Sequence, residues 1–250
     1  MGEKILSVRN ISKSFIGVQA LDNISLSIEK GNIHCLVGEN GSGKSTMVKI
    51  IAGVHEPDNG EIIINGKTFT KITPRKAIEE GIQVIYQDLS LFPHMTVAEN
   101  IAINKMMYYK KKFVNWWETY EIAREQLNKI GVNIDLNAPI NEISIANRQV
   151  VAICRALALK AKVLFMDEPT SALTKEEVNK LLSIVMELKT KDLAIVFISH
   201  KLDEVFEIAN TITIFRDGKK VGDFESSELD QKSLSKYITG RNVRYPRYIR

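Results

Sequence analysis

The most informative stretch about the fold of this chain is LVGENGSGKST, residues 36–46. It follows the apolar run IHCLV, which is typical of a buried strand, and it precedes the run MVKIIAG, which is typical of a helix. Gly38 to Ser45 matches the pattern G-x-x-x-x-G-K-[ST] of a phosphate-binding loop. A strand, a glycine-rich turn and a helix in this order predict an α/β nucleotide-binding fold.

The glycines of this loop let the backbone curl, so that successive N–H groups point toward one phosphate. Lys44 is placed to reach the β- and γ-phosphates, and the Ser45 hydroxyl can ligate Mg²⁺. We expect a bound nucleotide to contact Gly38, Glu39, Asn40, Gly41, Ser42, Gly43, Lys44, Ser45 and Thr46. A kinase or a GTPase would fit this motif equally well.

A second acidic site narrows the choice. The apolar run KVLFM is followed by Asp167, Glu168 and Pro169. In proteins with this loop an aspartate after a hydrophobic strand holds Mg²⁺, so Asp167 is the candidate metal ligand. Glu168 lies one residue farther along and is the candidate general base for an attacking water. The alternative is a pair of solvated acids at the end of a strand.

The composition excludes several classes of function. The chain has 250 residues, of which 44% are apolar and 26% are charged, an ordinary globular balance. A net charge of +4 is too small to argue for nucleic acid. No apolar run approaches the ~20 residues that span a bilayer, and the first ten residues do not resemble a signal peptide. Cys35 and Cys154 lie in apolar segments, which predicts buried free thiols and a reducing cytoplasm.

The sequence contains two basic clusters, each of which has two possible interpretations. They are Lys110–Lys112 and the tail RNVRYPRYIR at residues 241–250. Both are typical of solvated surface or linker. The alternative is an acidic partner or the anionic face of a membrane.

The strand patterns predict two kinds of sheet. The runs KILSVRNI, NISLSIEKG and EIIINGKTF lie near the N-terminus, and Asn65-Gly66 is a hairpin turn signal. The later runs GIQVIYQ, KVLFMDE and LAIVFISH are apolar on both faces, as covered parallel strands are. We therefore expect an α/β core with antiparallel strands at the N-terminus and a final hairpin at Asp217-Gly218.

Capping pairs mark the starts of three helices: Thr96 with Glu99, Asn115 with Glu118, and Thr174 with Glu177. The stretch from about Lys105 to Asn141 has the pattern of an almost wholly helical insert. It interrupts the alternation of strands and helices, which predicts a separate helical part. Trp116 and Trp117 lie in this insert, and we expect them to serve packing.

Taken in order along the chain, these motifs resemble the ATP-binding cassette (ABC) family of P-loop NTPases. The resemblance covers about residues 3–240. GENGSGKST resembles the Walker A motif, VLFMDE the Walker B motif, YQDLSLFP the Q-loop, SALT from Ser171 the D-loop, and FISH the switch-histidine segment. The implied fold is an ABC-type α/β P-loop core with an N-terminal antiparallel β subdomain and a helical subdomain at about residues 88–160.

The resemblance implies roles for three more residues and the use of ATP and Mg²⁺ as cofactors. Phe15 matches the aromatic residue that stacks on adenine, and the alternative is core packing. Gln87 matches the glutamine that contacts Mg²⁺ or the attacking water, and the alternative is a polar loop residue. His200 follows a strand, which places it at the carboxyl edge of the sheet, where it would hydrogen-bond the γ-phosphate.

The segment ISIANRQ, residues 143–149, lies where cassettes carry the signature Leu-Ser-Gly-Gly-Gln. It keeps Ser144, but Ile145 and Ala146 replace the two glycines and Asn147 replaces the glutamine. In the family this helix N-terminus meets the γ-phosphate of ATP bound to a second cassette. Ser144 can donate to that phosphate, whereas Ala146 adds a methyl group where the backbone must come close. Thr174 also departs from the D-loop aspartate.

TPRKAIEEGIQVIYQDLSLFPHMTVAENI resembles the ATPases of bacterial monosaccharide importers. Those ATPases carry two cassettes in one chain, so we expect residues 1–240 to be the first cassette and residues 241–250 to begin a linker. The resemblance implies a second cassette in the same chain or a homodimer, membrane permease subunits, and an indirect periplasmic or extracellular sugar-binding protein. It places the chain at the cytoplasmic face of the membrane, as a peripheral subunit.

The sequence is also compatible with two other functions. One is a non-transport ABC ATPase that acts in DNA repair or on the ribosome, although the helical insert is short and lacks sustained heptads. The other is a cassette that mainly binds nucleotide and hydrolyses little because its signature is degenerate.

Overall fold

The computed structural model describes residues 2–109, 113–189 and 193–240, and the two basic clusters, Lys110–Lys112 and the tail at 241–250, lie outside these ranges. The strands in the described ranges are β1 Lys4–Phe15, β2 Val18–Glu29, β3 Ile33–Val37, β4 Asn59–Ile64, β5 Lys67–Phe69, β6 Ile82–Ile85, β7 Val163–Asp167, β8 Ala194–Ile198, β9 Thr211–Arg216 and β10 Lys219–Glu225. The α-helices are α1 Lys44–Ile51, α2 Pro74–Glu79, α3 Val97–Tyr108, α4 Trp116–Lys129, α5 Ile145–Ala158, α6 Lys175–Lys189, α7 Leu202–Ile208 and α8 Gln231–Thr239.

The first sheet is antiparallel, with the strand order β2-β1-β4-β5. Its last hairpin turns at Asn65 and Gly66, which both have positive φ, as the sequence predicts for an Asn-Gly turn. The long β1–β2 hairpin ends with Phe15 paired to Val18. This hairpin end matters for function because Phe15 is the candidate adenine contact.

The second sheet has the strand order β10-β9-β3-β8-β7-β6. Strands β6, β7, β8, β3 and β9 are parallel neighbours, and β10 pairs antiparallel with β9. The carboxyl ends of β3, β7 and β8 therefore lie at one edge of the sheet. That edge receives the phosphate loop after β3, Asp167 at the end of β7 and His200 after β8.

Successive side chains of a strand point to opposite faces of the sheet, so the central strands contribute to two separate hydrophobic cores. In β8, Ile195 and Phe197 join a core shared with helices α3 to α8. Their neighbours Val196 and Ile198 join a second core, which also contains buried residues of α1 and of the N-terminal sheet. The result is an α/β core with an antiparallel β layer on one side and a helical layer on the other, as predicted.

The prediction of an almost wholly helical insert from Lys105 to Asn141 is wrong. Helix α4 ends at Lys129, and apart from a short 3₁₀ turn at Ile140–Glu142 the segment after it is irregular. Gly131 has φ +66, which stops a right-handed helix. Asp135 then accepts a hydrogen bond from the Asn137 N–H at 2.9 Å, a local turn that competes with helix.

The prediction that Trp116 and Trp117 serve packing is also wrong, since the two residues are 57% and 74% exposed. They occupy the first turn of α4, ahead of its buried face, which consists of Thr119, Ile122, Ala123, Gln126 and Leu127. Helical periodicity identifies such a face, but not which turn of the helix first reaches the core.

Cys35 and Cys154 are free and buried, as predicted. Burial raises the pKa of both thiols, that of Cys154 to about 12, so neither is a reactive thiolate at neutral pH. No helix within the described ranges is long and apolar enough to cross a membrane.

Candidate functional site

The phosphate loop joins the buried strand β3 to α1, and its glycines are needed for both conformation and space. Gly43 has φ +103, and a Cβ atom there would lie 2.6 Å from the Ala20 carbonyl oxygen. At Gly38 a Cβ atom would lie 2.6 Å from Ser42 Oγ. Only glycine fits at these two positions, so the loop can wrap closely enough for its N–H groups to face a phosphate.

Lys44 is buried at the start of α1, and its ammonium group is held by the loop itself. Nζ donates to the carbonyl oxygens of Gly38 at 2.8 Å and Glu39 at 2.9 Å. Burial lowers the pKa of Lys44, while the carboxylates of Glu168 and Asp167 oppose that shift. The cation is thus fixed between the loop and the two acids, where the negative charge of a phosphate would be most stabilised.

The loop encloses a small cavity of about 180 Å³. The cavity is lined by Val18, Ala20, Asn40, Gly41, Gly43, Lys44, Ser45, Thr46, Asp167 and Glu168. The structure therefore brings both motifs predicted from the sequence, the phosphate loop and the acidic pair, to one place. Neither Val18 nor Ala20 was a sequence-based candidate, because an apolar residue on a strand carries no signal for a nucleotide.

Ser45 and Asp167 form the candidate metal site. Ser45 Oγ donates to Asp167 Oδ2 at 3.4 Å, across the edge between α1 and β7. Burial raises the pKa of Asp167, the neighbouring Glu168 carboxylate raises it further, and the Ser45 hydrogen bond and Lys44 oppose the shift. A hydroxyl and a carboxylate beside excess negative charge fit a hard divalent cation such as Mg²⁺.

Glu168 has a strained backbone, with φ +48 in the left-handed region that non-glycine residues rarely adopt. Its N–H donates to the carbonyl oxygen of Ile198 at 3.0 Å, which ties the end of β7 to the end of β8. As a result Glu168 Oε1 lies 3.1 Å from Nδ1 of His200. The structure therefore pairs the candidate base with the candidate switch histidine, a contact that the sequence did not predict.

Phe15 lies at the tip of the β1–β2 hairpin and is 41% exposed, so the alternative of core packing does not apply. Its ring meets that of His55 edge-on, with centroids 5.3 Å apart, and Lys13 Nζ lies 5.6 Å from its centroid. Its cross-strand partner Val18 lines the cavity of the phosphate loop. Phe15 thus lies on the same hairpin end as a residue that lines the cavity, and its contact with adenine stays a prediction.

Gln87 lies just beyond the carboxyl end of β6 and is exposed. Strand β6 is the neighbour of β7, so Gln87 is on the same sheet edge as Asp167. It lies outside the lining of the phosphate-loop cavity. Its role toward metal or water stays a prediction.

Ser144 caps α5, where its Oγ accepts a hydrogen bond from the Asn147 N–H at 3.2 Å. The loop before it is held by Arg148, whose guanidinium donates to the carbonyl oxygens of Ile140 at 3.0 Å and Asn141 at 3.1 Å. Neither Ser144 nor Ala146 lines the phosphate-loop cavity of its own chain. This separation is what a site shared between two cassettes requires.

Two polar residues of α5, the buried Gln149 and the partly buried Arg155, were missed by the sequence analysis. Gln149 Nε2 donates to the Pro169 carbonyl oxygen at 2.8 Å, which ties α5 to the segment that directly follows Asp167 and Glu168. Arg155 donates to the carbonyl oxygens of Leu89 at 2.6 Å and Ser90 at 2.8 Å, which ties the same helix to the segment after Gln87. A polar residue inside an apolar helical stripe was the available signal.

With this geometry established, the comparison with known proteins defines the class of protein. The family model of the ABC transporter matches residues 21–171 of the chain. The chain belongs to the ABC transporter family, and the resemblance predicted from the sequence is confirmed.

Curated relatives make the comparison more specific. The chain is 41% identical over 241 residues to the putative ribose/galactose/methyl galactoside import ATP-binding protein 2 of Agrobacterium fabrum, and the match covers 96% of this chain and 47% of that relative. It is 42% identical over 239 residues to the ribose import ATP-binding protein RbsA 2 of Rhizobium johnstonii, with the same two coverages. The chain thus spans about half the length of the curated relatives it matches.

Solved structures agree on the fold. A nucleotide-free ATP-binding cassette from an ABC transporter superposes with a TM-score of 0.83 at 28% identity, covering 95% of this chain and 96% of that one. The ADP conformation of another ATP-binding cassette gives a TM-score of 0.83 at 27% identity, with coverages of 94% and 95%. The predicted fold, an ABC-type α/β P-loop core with antiparallel β and helical parts, is confirmed.

Proposed function

We propose that this chain binds ATP with Mg²⁺ and hydrolyses it, as one nucleotide-binding half of a sugar importer. The observation that carries the proposal is the 3.1 Å contact between Glu168 Oε1 and His200 Nδ1 at the mouth of a cavity that holds Lys44 and Asp167. A cation for phosphate, a metal ligand and a paired base in one place fit phosphoryl transfer to water better than simple nucleotide storage.

The binding roles follow from the contacts within the site. The loop N–H groups of residues 38–46 and the Lys44 ammonium are assigned to the β- and γ-phosphates. Phe15 is assigned to the adenine ring, with which it can stack. The Lys44 ammonium has three N–H donors, of which two bond to the carbonyl oxygens of Gly38 and Glu39, and the third, only 3.5 Å from Ser42 Oγ, can turn to a phosphate oxygen.

Mg²⁺ would be held by Ser45 and Asp167, with Gln87 as a further candidate ligand. When bound, this ion neutralises charge on the phosphates and on the Asp167–Glu168 pair. Among the described residues there is no group of three or more His, Cys, Asp and Glu that could hold a metal by itself. The remaining ligands would therefore be phosphate and water oxygens, as is usual for Mg²⁺.

In the proposed reaction Glu168 accepts a proton from a water molecule whose oxygen attacks the γ-phosphorus of ATP. The bond from that phosphorus to the β,γ-bridging oxygen breaks, and its electron pair leaves with ADP. His200 is assigned a hydrogen bond to the γ-phosphate, and its contact with Glu168 orients both side chains. The strained backbone of Glu168 serves to aim the carboxylate at the cavity.

A second cassette would complete the site. Ser144 and Ala146 are assigned to the γ-phosphate of ATP bound to that partner, supplied by the same longer chain or by a second copy. A dimeric ATP-binding cassette bound to ADP and Pi has a TM-score of 0.77 to this chain at 25% identity, which supports this arrangement. The nucleotide would lie between the two cassettes, so hydrolysis would release them.

The transport assignment rests on the relatives, whose names describe ribose or galactose import. We assign residues 1–240 to one cassette, residues 88–160 to its helical subdomain and residues 241–250 to a linker toward a second cassette. Membrane permease subunits would form the pathway, and a periplasmic or extracellular sugar-binding protein would deliver substrate to them. The chain would then act at the cytoplasmic face of the membrane.

One observation favours a second candidate function, a cassette that mainly binds nucleotide. Ile145, which replaces a signature glycine, is 44% exposed, so it stands on the surface that must approach the partner's phosphate. Side chains at positions 145 and 146 oppose close contact of the backbone there. Weak hydrolysis by the isolated chain would follow.

Sedimentation of the Glu168→Gln variant with and without MgATP tests the composite site first. A shift from monomer to dimer on adding ATP supports the sandwich. The matched control adds Ser144→Ala, which removes the donor and is expected to weaken the dimer. A persistent monomer with ATP shown to be bound contradicts self-association and leaves the second cassette of a longer chain as the partner.

A steady-state assay separates the two candidate functions. We expect ATP hydrolysis by the wild type that is lost in Glu168→Gln while MgATP binding is retained. Equal phosphate release by the two proteins contradicts the proposed hydrolysis and favours the binding module.

A further inference from the structure

A buried carboxylate lies behind the Glu168–His200 pair. Glu204, on α7, is only 6% exposed. Its Oε2 accepts hydrogen bonds from the Thr170 hydroxyl at 2.6 Å and from the Ser199 hydroxyl at 3.2 Å. Its Oε1 lies 3.2 Å from the Lys201 ammonium. Because an unpaired charge is costly away from water, the position of this carboxylate is set by these three partners.

The three partners belong to the two segments that carry the reactive pair. Thr170 follows Glu168 by two residues, and Ser199 and Lys201 flank His200. Lys201 connects the segments a second time, since its Nζ also donates to the Thr170 carbonyl oxygen at 3.0 Å. Its backbone N–H donates to the Ser199 hydroxyl at 3.0 Å, which closes the turn around His200.

We propose that Glu204 is a positioning residue that keeps Glu168 and His200 within hydrogen-bond distance of each other. The inference rests on the proposed hydrolysis of ATP and assigns a further residue to that site. Glu204 does not line the phosphate-loop cavity, so it acts through the Thr170, Ser199 and Lys201 contacts.

The strain at Glu168 explains why such an anchor is needed. A non-glycine residue at φ +48 keeps that conformation only when its surroundings fix the backbone on both sides. On one side β7 is fixed in the sheet, and the Glu168 N–H is bonded to the Ile198 carbonyl oxygen. On the other side the chain is held at Thr170 by Glu204. Gln149 and Lys201 also hold the carbonyl oxygens of Pro169 and Thr170, whereas the Glu204 carboxylate bonds to the Thr170 and Ser199 hydroxyls together. Loss of the Glu204 bonds therefore weakens the link between the two segments, which lets the Glu168 carboxylate move away from His200.

The test compares four variants by turnover and by nucleotide affinity. Glu204→Gln removes the charge at constant shape, and Thr170→Val removes the hydroxyl at constant shape. Thr170→Ser keeps the hydroxyl and is the conservative rescue. Glu207→Gln, on the exposed face of the same helix, is the matched control. Because a misplacement of about 1 Å costs up to ~100-fold in rate, we expect kcat to fall at least about 10-fold in Glu204→Gln and Thr170→Val.

The split between kcat and KM distinguishes positioning from a general loss of structure. KM and the dissociation constant for MgATP are expected to stay within about twofold of wild type, since Lys44 and Phe15 are untouched. Thr170→Ser and Glu207→Gln are expected to turn over as wild type does. Turnover within twofold of wild type in both shape-preserving variants overturns the proposal, as does an equal loss of affinity and turnover.

A crystal structure of Glu204→Gln supplies a readout besides activity. We expect the separation of Glu168 Oε1 from His200 Nδ1 to exceed hydrogen-bond distance, and an unchanged pair overturns the proposal. If Glu204→Gln does not fold, the same measurement on Thr170→Val decides. If the wild type hydrolyses no more ATP than Glu168→Gln, the proposed function fails, and the measured separation alone decides the role of Glu204.

Discussion

Nδ1 of His200 lies 3.1 Å from Oε1 of Glu168, although the two residues are 32 positions apart in the chain. The contact exists because β7 and β8 are parallel neighbours that end at the same sheet edge. It places the candidate base Glu168, which lines the phosphate-loop cavity, beside the candidate switch histidine.

Replacing either member of this pair is expected to stop turnover without removing nucleotide. Glu168→Gln and His200→Ala should each lower kcat by about 10²–10⁴-fold, the usual worth of a general base and its partner. Phosphate release and calorimetric MgATP binding measure the two effects. Because the two residues act together, the double variant should lose little more than either single one. An unchanged rate in Glu168→Gln refutes the assignment of the base.

Removing the loop cation should weaken binding. Lys44→Ala is expected to reduce the affinity for MgATP by about 10–100-fold, since a hydrogen bond to a charged group is worth about 1.5–3 kcal/mol. Lys180→Ala, which removes an exposed cation from α6, is the control and should bind as wild type does. Titration calorimetry measures both variants. Equal affinities would mean that the backbone N–H groups alone bind the phosphates.

The Asp167 carboxylate is expected to reduce stability at neutral pH. Burial and the Glu168 carboxylate raise its pKa, so the folded state favours the protonated form. The protonated Asp167 carboxyl adds to the stability of the fold below the ordinary pKa of an aspartate. This contribution is lost as the pH rises through the raised pKa of the folded state. Asp167→Asn should therefore melt about 2 °C higher at pH 7, while MgATP hydrolysis is lost.

The stability gain of Asp167→Asn should shrink as the pH is lowered, because the wild-type carboxyl then becomes neutral as well. Thermal melts of both proteins between pH 7 and pH 4 measure the difference. A gain that is constant with pH would show that the buried charge is not its cause.

The buried His34 is expected to make the fold less stable as the pH falls. It is buried in β3, its Nε2 lies 2.6 Å from the Thr213 hydroxyl, and burial lowers its pKa to about 4 against opposition from Asp223. Between the ordinary pKa of about 6.5 and the folded value the unfolded chain binds the extra proton, so stability is lost as the pH falls through this range. We expect this residue to account for about 3 kcal/mol over that range.

Urea unfolding at pH 7.5, 5.5 and 4.5 measures this loss. His34→Gln should remove the His34 part of the pH dependence, whatever its effect on stability at pH 7.5. His94→Gln, at an exposed position, should keep the wild-type profile. Identical pH profiles for the wild type and His34→Gln would contradict the role of the buried imidazole.

The local signals in the sequence predicted most of the fold. The Thr96–Glu99 capping box, the Asn65-Gly66 turn and the continuous apolar run of β8 depend on neighbouring residues, so they can be recognised without the rest of the chain. The predictions for Trp116 and Trp117 failed because burial depends on which turn of α4 meets the core.

The same difference between local and distant interactions applies to the candidate site. The phosphate loop and the Asp167–Glu168 pair were identified by spacing, because one loop and one strand end supply all their atoms. Arg155 and Glu204 were not identified, because their partners at Leu89, Ser90 and Thr170 lie far away along the chain. A single charged residue in an apolar stripe indicates a buried partner but does not name it.

The sequence by itself determined that this chain is an α/β P-loop cassette, which residues match its phosphate-loop motif and where the helix after Ser144 begins. Only the tertiary structure decided that Glu168 meets His200, that Glu204 holds the two segments together, and that Ser144 lies away from the cavity of its own chain. The physical reason is the range of the interactions. Turns, caps and periodic faces are fixed by residues a few positions apart, whereas a site at a sheet edge is assembled by strand order.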